Sequence, residues 1–154
     1  MVIAHSWPPQ KSKCPRVRNA KKTVIEVDGK PHTFPSHAEA RYYLDLVRMQ
    51  KAGIVKEIEL QPVFTLQPGH WKCPDCHEIW GSADLKKGCC RICGKKLEKT
   101  QAIIYRADFR VAYADGRVEI IDVKGMETEI FKIKQKIFEY RYPDLTLKVV
   151  KVKK

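Results

Sequence analysis

No stretch of this 154-residue chain is apolar for long enough to cross a bilayer. Its first residues lack the apolar core of a secretory signal, so the expectation is a cytoplasmic protein. No internal repeat and no low-complexity tract is present, which excludes solenoid and fibrous architectures. Acidic residues are scarce: 18 Asp and Glu face 30 Lys and Arg, a net charge of +12. None of the acids lies in residues 1–22. Solubility needs far less charge than this, and an anionic partner, nucleic acid foremost, is the expectation. A membrane surface fits less well, because no long basic amphipathic helix is present to lie on one. Cysteine is nearly absent outside one place. Cys14 stands alone, whereas Cys73, Cys76, Cys89, Cys90 and Cys93 fall within 21 residues. Such clustering is no evenly spread disulfide framework, and in a reducing compartment it reads as metal ligation.

What is present fits one folded core with a small decoration, since 44% of the residues are hydrophobic. Residues 1–22 read as a basic flexible arm carrying Lys11, Lys13, Arg16, Arg18, Lys21 and Lys22. A hairpin is predicted over 23–34, turning at Asp28-Gly29. Ser36 then caps a helix, with Glu39 at capping-box spacing and Ala40, Tyr43, Leu44, Val47 and Ala52 along its apolar face. Gly53 is its stop. Strand-like sequence runs from Ile54 to Leu66, interrupted by Pro62, which suggests an edge or bulge there. Residues 67–99 read as an insert. A long hairpin follows, from Ala102 to Tyr113, through Ala114-Asp115-Gly116, and from Arg117 to Lys124. A second helix is predicted over Thr128 to Tyr140, with Ile130, Ile133, Ile137 and Tyr140 on its apolar face. Pro143 ends it, and Leu145 to Val152 is a last strand. This order predicts an α/β core from residues 23–66 and 100–154, with a mixed sheet flanked by helices.

Within the insert, Cys73-x-x-Cys76 and Cys90-x-x-Cys93 are separated by thirteen residues. Two such pairs suit a tetrahedral four-cysteine zinc site, closed and therefore structural. A redox motif needs only one pair. Cys89 and His77 are possible replacements for a ligand, although the spacing favours Cys90. An insert this short buries little core, and a metal would supply the missing stability. Trp71 and Trp80 read as its mini-core, with base stacking as the functional alternative.

The most informative stretch is Ala107-Asp108-Phe109 with Ile120-Ile121-Asp122-Val123-Lys124-Gly125. Asp122 and Lys124 stand two apart on a strand and share a face. A reasonable hairpin register brings Asp108 beside them, and Glu39 can reach the same place from the first helix. Phosphodiester hydrolysis needs such a set. Clustered carboxylates hold one or two Mg²⁺ (or Mn²⁺) ions, and a lysine orients water and stabilises developing charge. Glu39, Asp108, Asp122 and the Val123 carbonyl would be ligands, with Lys124 the catalytic cation. Each residue also has an ordinary reading: Glu39 as capping partner, Asp122 with Lys124 as an edge ion pair, Asp108 as an exposed strand residue. Gln61 lines the site or faces solvent. Thr128, Lys132, Lys134 and Lys136 contact phosphates or form a solvated basic face, Lys132 and Lys136 being four apart. His32 and His37 read as surface residues.

Ser36-x-x-Glu39, Gln61-Pro62-x-Phe64, Ala107-Asp108-Phe109 and Asp122-Val123-Lys124-Gly125 together resemble the PD-(D/E)XK nuclease superfamily. They are closest to small phage-encoded nucleases similar to phage endonuclease I, a Holliday-junction resolvase, and are also similar to the endonuclease subunit of a bacterial transposase. The resemblance covers roughly residues 20–66 and 101–152. Ala107 stands where the motif usually has proline. The resemblance implies a restriction-endonuclease-like fold, a Mg²⁺-dependent DNA endonuclease in phage replication or recombination, and a homodimer, acting in the host cytoplasm if phage-encoded. No small-molecule cofactor is implied. Two other functions remain open at this point. One is a non-catalytic zinc-ribbon module that binds nucleic acid or protein. The other is a sequence-specific nuclease whose insert reads bases, with RNA an open substrate.

Overall fold

A computed structural model describes residues 22–81 and 88–152. Of the basic arm only Lys22 falls among them, and Cys14 with the other arm residues lies outside. No helix among the described residues is long and apolar enough to cross a membrane.

The chain is mixed α/β, with two helices and several sheets. β1 (Thr23–Val27) and β2 (Lys30–Phe34) form the first hairpin. Asp28 and Gly29 both take positive φ, at 50° and 76°, as a tight two-residue hairpin turn requires. α1 (His37–Lys51) starts at Ser36, whose side chain accepts from the Glu39 N–H. Its buried face is Glu39, Ala40, Tyr43, Leu46 and Val47. Leu44 is only half-buried and Ala52, the exposed C-cap, takes no part, so Leu46 replaces both in the expected stripe. Gly53 follows at φ 76° and ends the helix.

β3 (Val55–Leu60) and β4 (Val63–Gln67) are two strands, separated at Gln61-Pro62. The insert holds β5 (His70–Lys72), β6 (Ile79–Gly81) and β7 (Glu98–Thr100), a separate three-stranded sheet in the order β6-β5-β7. Thr100 pairs with His70, so the insert closes one residue later than expected. Where the chain enters it, a Cβ on Gly69 would lie 3.2 Å from the Thr100 carbonyl oxygen, so glycine lets the entering and leaving chains meet.

The expected single strand from Ala102 to Tyr113 is also two: β8 (Ile103–Arg106) and β9 (Phe109–Tyr113). β8 pairs with β4 and β9 with β3. Both chains therefore break at the same level, and three bonds tie the break together. The Gln61 N–H donates to the Asp108 carbonyl, the Ala107 N–H to the Pro62 carbonyl, and the Asp108 N–H to the Ile121 carbonyl. β10 (Val118–Lys124) pairs antiparallel with β9, and β11 (Thr146–Lys151) pairs parallel with β10. The sheet β11-β10-β9-β3 is thus mixed, as the element order predicted.

Alternation along β10 divides the core. Ile121 and Val123 pack with Phe109, Val111 and the α1 residues. Ile120 points the other way, to Tyr105, Ala107, Phe131 and Phe138. α2 (Glu129–Arg141) covers this second face, capped by the Thr128 hydroxyl oxygen, which accepts from the Phe131 N–H. Its buried residues are Phe131 and Phe138. Of the expected stripe, Ile137 packs partly buried against this core, whereas Ile130, Ile133 and Tyr140 are exposed. Both stripes are apolar at helical spacing, and the two phenylalanines, with more area to bury, win the core.

Candidate functional site

Asp122 is the one fully buried carboxylate among the described residues, with no exposed surface. It stands on the α2 face of β10, where its neighbour two residues back is the core residue Ile120. The Tyr105 hydroxyl donates to its Oδ2 at 2.6 Å. Its Oδ1 lies 2.9 Å from the Lys124 ammonium but accepts no well-aligned hydrogen bond. Lys124 in turn lies over the Phe131 ring, 5.4 Å from its centroid.

Asp108 arrives from the break between β8 and β9. Because its backbone is held on both sides, its side chain turns over the end of β9 and accepts from the Val123 N–H at 2.6 Å. The carboxylate thus takes the ladder position that β9 leaves empty. In a strand, the N–H and C=O of one residue point to the same side. The Val123 carbonyl therefore points past the end of β9, toward Asp108. The break also costs backbone strain. Gln61, not a glycine, sits at φ 51° beside it, and such outliers gather at functional sites.

Glu39 comes from the first turn of α1. The Ser36 hydroxyl donates to its Oε1 at 2.7 Å, and its own N–H donates back to the Ser36 oxygen at 3.2 Å. Capping and placement are therefore one arrangement. Burial raises the Glu39 pKa, against the Ser36 bond and the Lys124 charge, while the Asp122 charge raises it further. Burial also drives Asp108 up to about 7. The Val123 N–H opposes this, and the Asp122 and Glu39 charges add to it. Lys124 is disfavoured as a cation by burial, but Asp122, Asp108 and Glu39 outweigh that and raise its pKa. The four sequence-selected residues thus feel one another's charge, from three separate elements. Three carboxyl groups and one ammonium thus share a partly buried place. Their oxygens are hard donors of the type that divalent cations take, although among the described residues only the four cysteines of the insert draw close enough together to hold a metal.

The second cluster is in the insert. Sγ atoms of Cys73, Cys76, Cys90 and Cys93 all lie within 4.8 Å of one another. The Cys73–Cys93 and Cys76–Cys90 separations are 3.3 and 3.5 Å. A tetrahedral Zn–S shell puts its sulfurs about 3.8 Å apart, so the group can hold a metal such as zinc. Two matching turns build it. The Cys73 carbonyl accepts from the His77 N–H and the Cys73 N–H donates to Glu78, while Cys90 repeats both bonds with Gly94 and Lys95. His77 and Gly94 occupy the equivalent left-handed position, at φ 60° and 72°. His77 therefore serves as a turn residue and stands outside the ligand group. Cys89, exposed and bridged to Lys96, also stands outside it. The N–H of Cys93, helped by that of Ile92 and opposed by desolvation, draws the Cys90 thiol down to about 6. Trp71 and Trp80 pair across β5 and β6 and pack on Cys73, Cys90 and Leu97, the mini-core the sequence suggested.

A family model described as "Protein of unknown function (DUF1064)" matches residues 16–154. The chain belongs to this family. The matched span runs through both clusters of this DUF1064 chain. No curated protein and no solved structure matches it.

The remaining residues sort less tightly. Lys132 pairs with Glu129 at 2.8 Å, and Lys136 is exposed on the same helix. Lys134 bonds the Ile104 carbonyl at 2.9 Å. His32 packs on the Tyr43 ring and His37 is exposed. Two residues of the site escaped sequence reasoning: Tyr105, which reads as a core aromatic three residues before Asp108, and the Ser36 hydroxyl acting on the Glu39 carboxylate rather than only as a cap.

Proposed function

We propose that this chain is a metal-dependent endonuclease that hydrolyses phosphodiester bonds in DNA, preferring branched or junction substrates. The observation that carries the reading is the meeting of Glu39, Asp108, Asp122 and Lys124 from α1, the β8–β9 break and β10, in the pattern the PD-(D/E)XK resemblance implies. A mixed sheet with a helix on each face is compatible with the restriction-endonuclease-like fold that goes with it. The net charge of +12 supplies attraction for phosphates.

Glu39, Asp108, Asp122 and the Val123 carbonyl would hold Mg²⁺ or Mn²⁺. When bound, the cation supplies Lewis-acid polarisation of the scissile phosphate. Tyr105 fixes one Asp122 oxygen and leaves the other for the site. Ser36 does the same for Glu39. Lys124, which lies over the Phe131 ring and beside Asp122, would meet a phosphate oxygen and stabilise charge as it develops. The four cysteines would hold a structural Zn²⁺ that stabilises the insert.

The test is a cleavage panel in Mg²⁺ or Mn²⁺ with four-way junction, flap, linear duplex and single-stranded DNA, with RNA as a further arm. Cutting that needs the divalent cation and favours the branched forms is expected. Tight binding with no cutting of any strand would instead make the chain a non-catalytic binding module.

A further inference from the structure

A cavity of about 390 Å³ opens beside Lys124, within the size range of small-ligand pockets. Its walls include Ile104, Tyr105, Met126, Ile130 and Phe131. Three cations line it as well: Lys124, Arg106 and Lys134. Met126 and Ile130 are 80% and 69% exposed, large apolar side chains left open to water next to the acidic cluster. Arg106 is exposed and makes no ion pair with another described residue, so its charge is open to an incoming anion. Tyr105 and Lys124 belong to both places, since each also touches Asp122.

Paired duplex DNA presents phosphates and sugars to such a surface and keeps its base faces stacked away. It would match the three cations and leave Met126 and Ile130 uncovered. An unpaired nucleotide offers both parts, an anionic phosphate and an apolar base face that stacks on apolar side chains. Resting on the nuclease reading above, we propose that this cavity receives an unpaired nucleotide beside the scissile phosphate, which makes DNA carrying a flap or an unpaired junction nucleotide the preferred substrate. Lys124 then stands between the two halves of the site, with the base on one side and the carboxylates on the other.

The experiment places 2-aminopurine at the unpaired nucleotide of a flap and follows its fluorescence in Mg²⁺-free buffer with the zinc-loaded protein. Cleavage of flap and of matched duplex is measured in parallel with Mg²⁺. Met126→Ala/Ile130→Ala is compared with wild type, and Tyr140→Ala, 88% exposed on the same helix but outside the cavity, is the control for lost apolar surface. Wild type is expected to change the reporter's fluorescence severalfold. In the double variant that change disappears, and the flap-to-duplex cleavage ratio falls by about tenfold or more, as expected when a base loses its stacking platform. Tyr140→Ala keeps both. Wild type that cuts DNA while the reporter does not respond, or a double variant with the wild-type ratio, overturns the pocket and leaves the nuclease standing. Wild type that cuts no DNA removes the nuclease reading and the pocket's role with it. A double variant that turns a dimer into a monomer in sedimentation at an unchanged ratio assigns the patch to a second copy of the chain, and also overturns the proposal.

Discussion

Tyr105 carries a hydroxyl that packing alone does not require, and it spends it on Asp122 at 2.6 Å. Burial, and then that bond, push the Tyr105 pKa up, so the phenol stays a donor. Tyr105→Phe leaves a buried carboxylate oxygen without its partner. The expected cost is about 1–3 kcal/mol in urea unfolding of the Mg²⁺-free protein. A variant as stable as wild type would mean that Asp122 is satisfied by other groups. Asp108 gives a second prediction. Its pKa of about 7 in the folded chain lies above the usual value of about 3.9 for an unfolded aspartate. The folded state therefore holds that proton more tightly. Its contribution to stability is complete below about pH 4 and is lost as pH rises through about 7. Thermal unfolding of zinc-loaded, Mg²⁺-free protein from pH 5 to 8 should fall more steeply for wild type than for Asp108→Asn. Parallel curves would place the titration elsewhere.

At the scale of elements, α2 decides how the second face of the sheet is covered. Phe138 is fully buried between Phe64, Tyr105 and Tyr142, whereas Tyr140 is 88% exposed. Phe138→Ala should cost about 3–5 kcal/mol in urea unfolding and Tyr140→Ala less than about 0.5. The reverse order would mean that the two apolar stripes had been exchanged. The insert makes a separate prediction, because among the described residues β5, β6 and β7 pair only with one another. Treating zinc-loaded protein with a chelator should abolish amide-exchange protection in β5–β7 while β3, β9 and β10 keep theirs. Loss of protection throughout would tie the core's stability to the insert. What the sequence made legible follows the same divide. Local chemistry was readable: Asp28-Gly29 as a turn, Ser36 with Glu39 as a cap, and the paired cysteines. Choices made by tertiary packing were not. Two apolar stripes lie on α2, and nothing local says which faces the sheet. The split of one expected strand into β8 and β9 is likewise written in bonds to Pro62 and Ile121, far away in sequence. That split is what turns Asp108 toward Val123. The residue type was legible and the device that aims it was not.

For the whole molecule, two chemistries occupy separate places. A four-cysteine cluster that can hold a metal such as zinc lies in a small sheet that has little core of its own, and a carboxylate–lysine cluster sits where the main sheet's strands end. On the proposed reading, the net charge of +12 suits a polyanion that must be gripped broadly and attacked at one phosphate. If the acidic site cuts DNA as proposed, Lys124 is the residue on which cutting turns. The most direct measurement is the single-turnover rate of Mg²⁺-dependent cleavage of branched DNA by zinc-loaded wild type and Lys124→Ala, with DNA affinity and unfolding temperature measured alongside. A rate lower by about 100-fold or more is expected in the variant, with folding and binding retained. A variant that cuts at the wild-type rate, or a wild type that cuts nothing, would contradict the proposal.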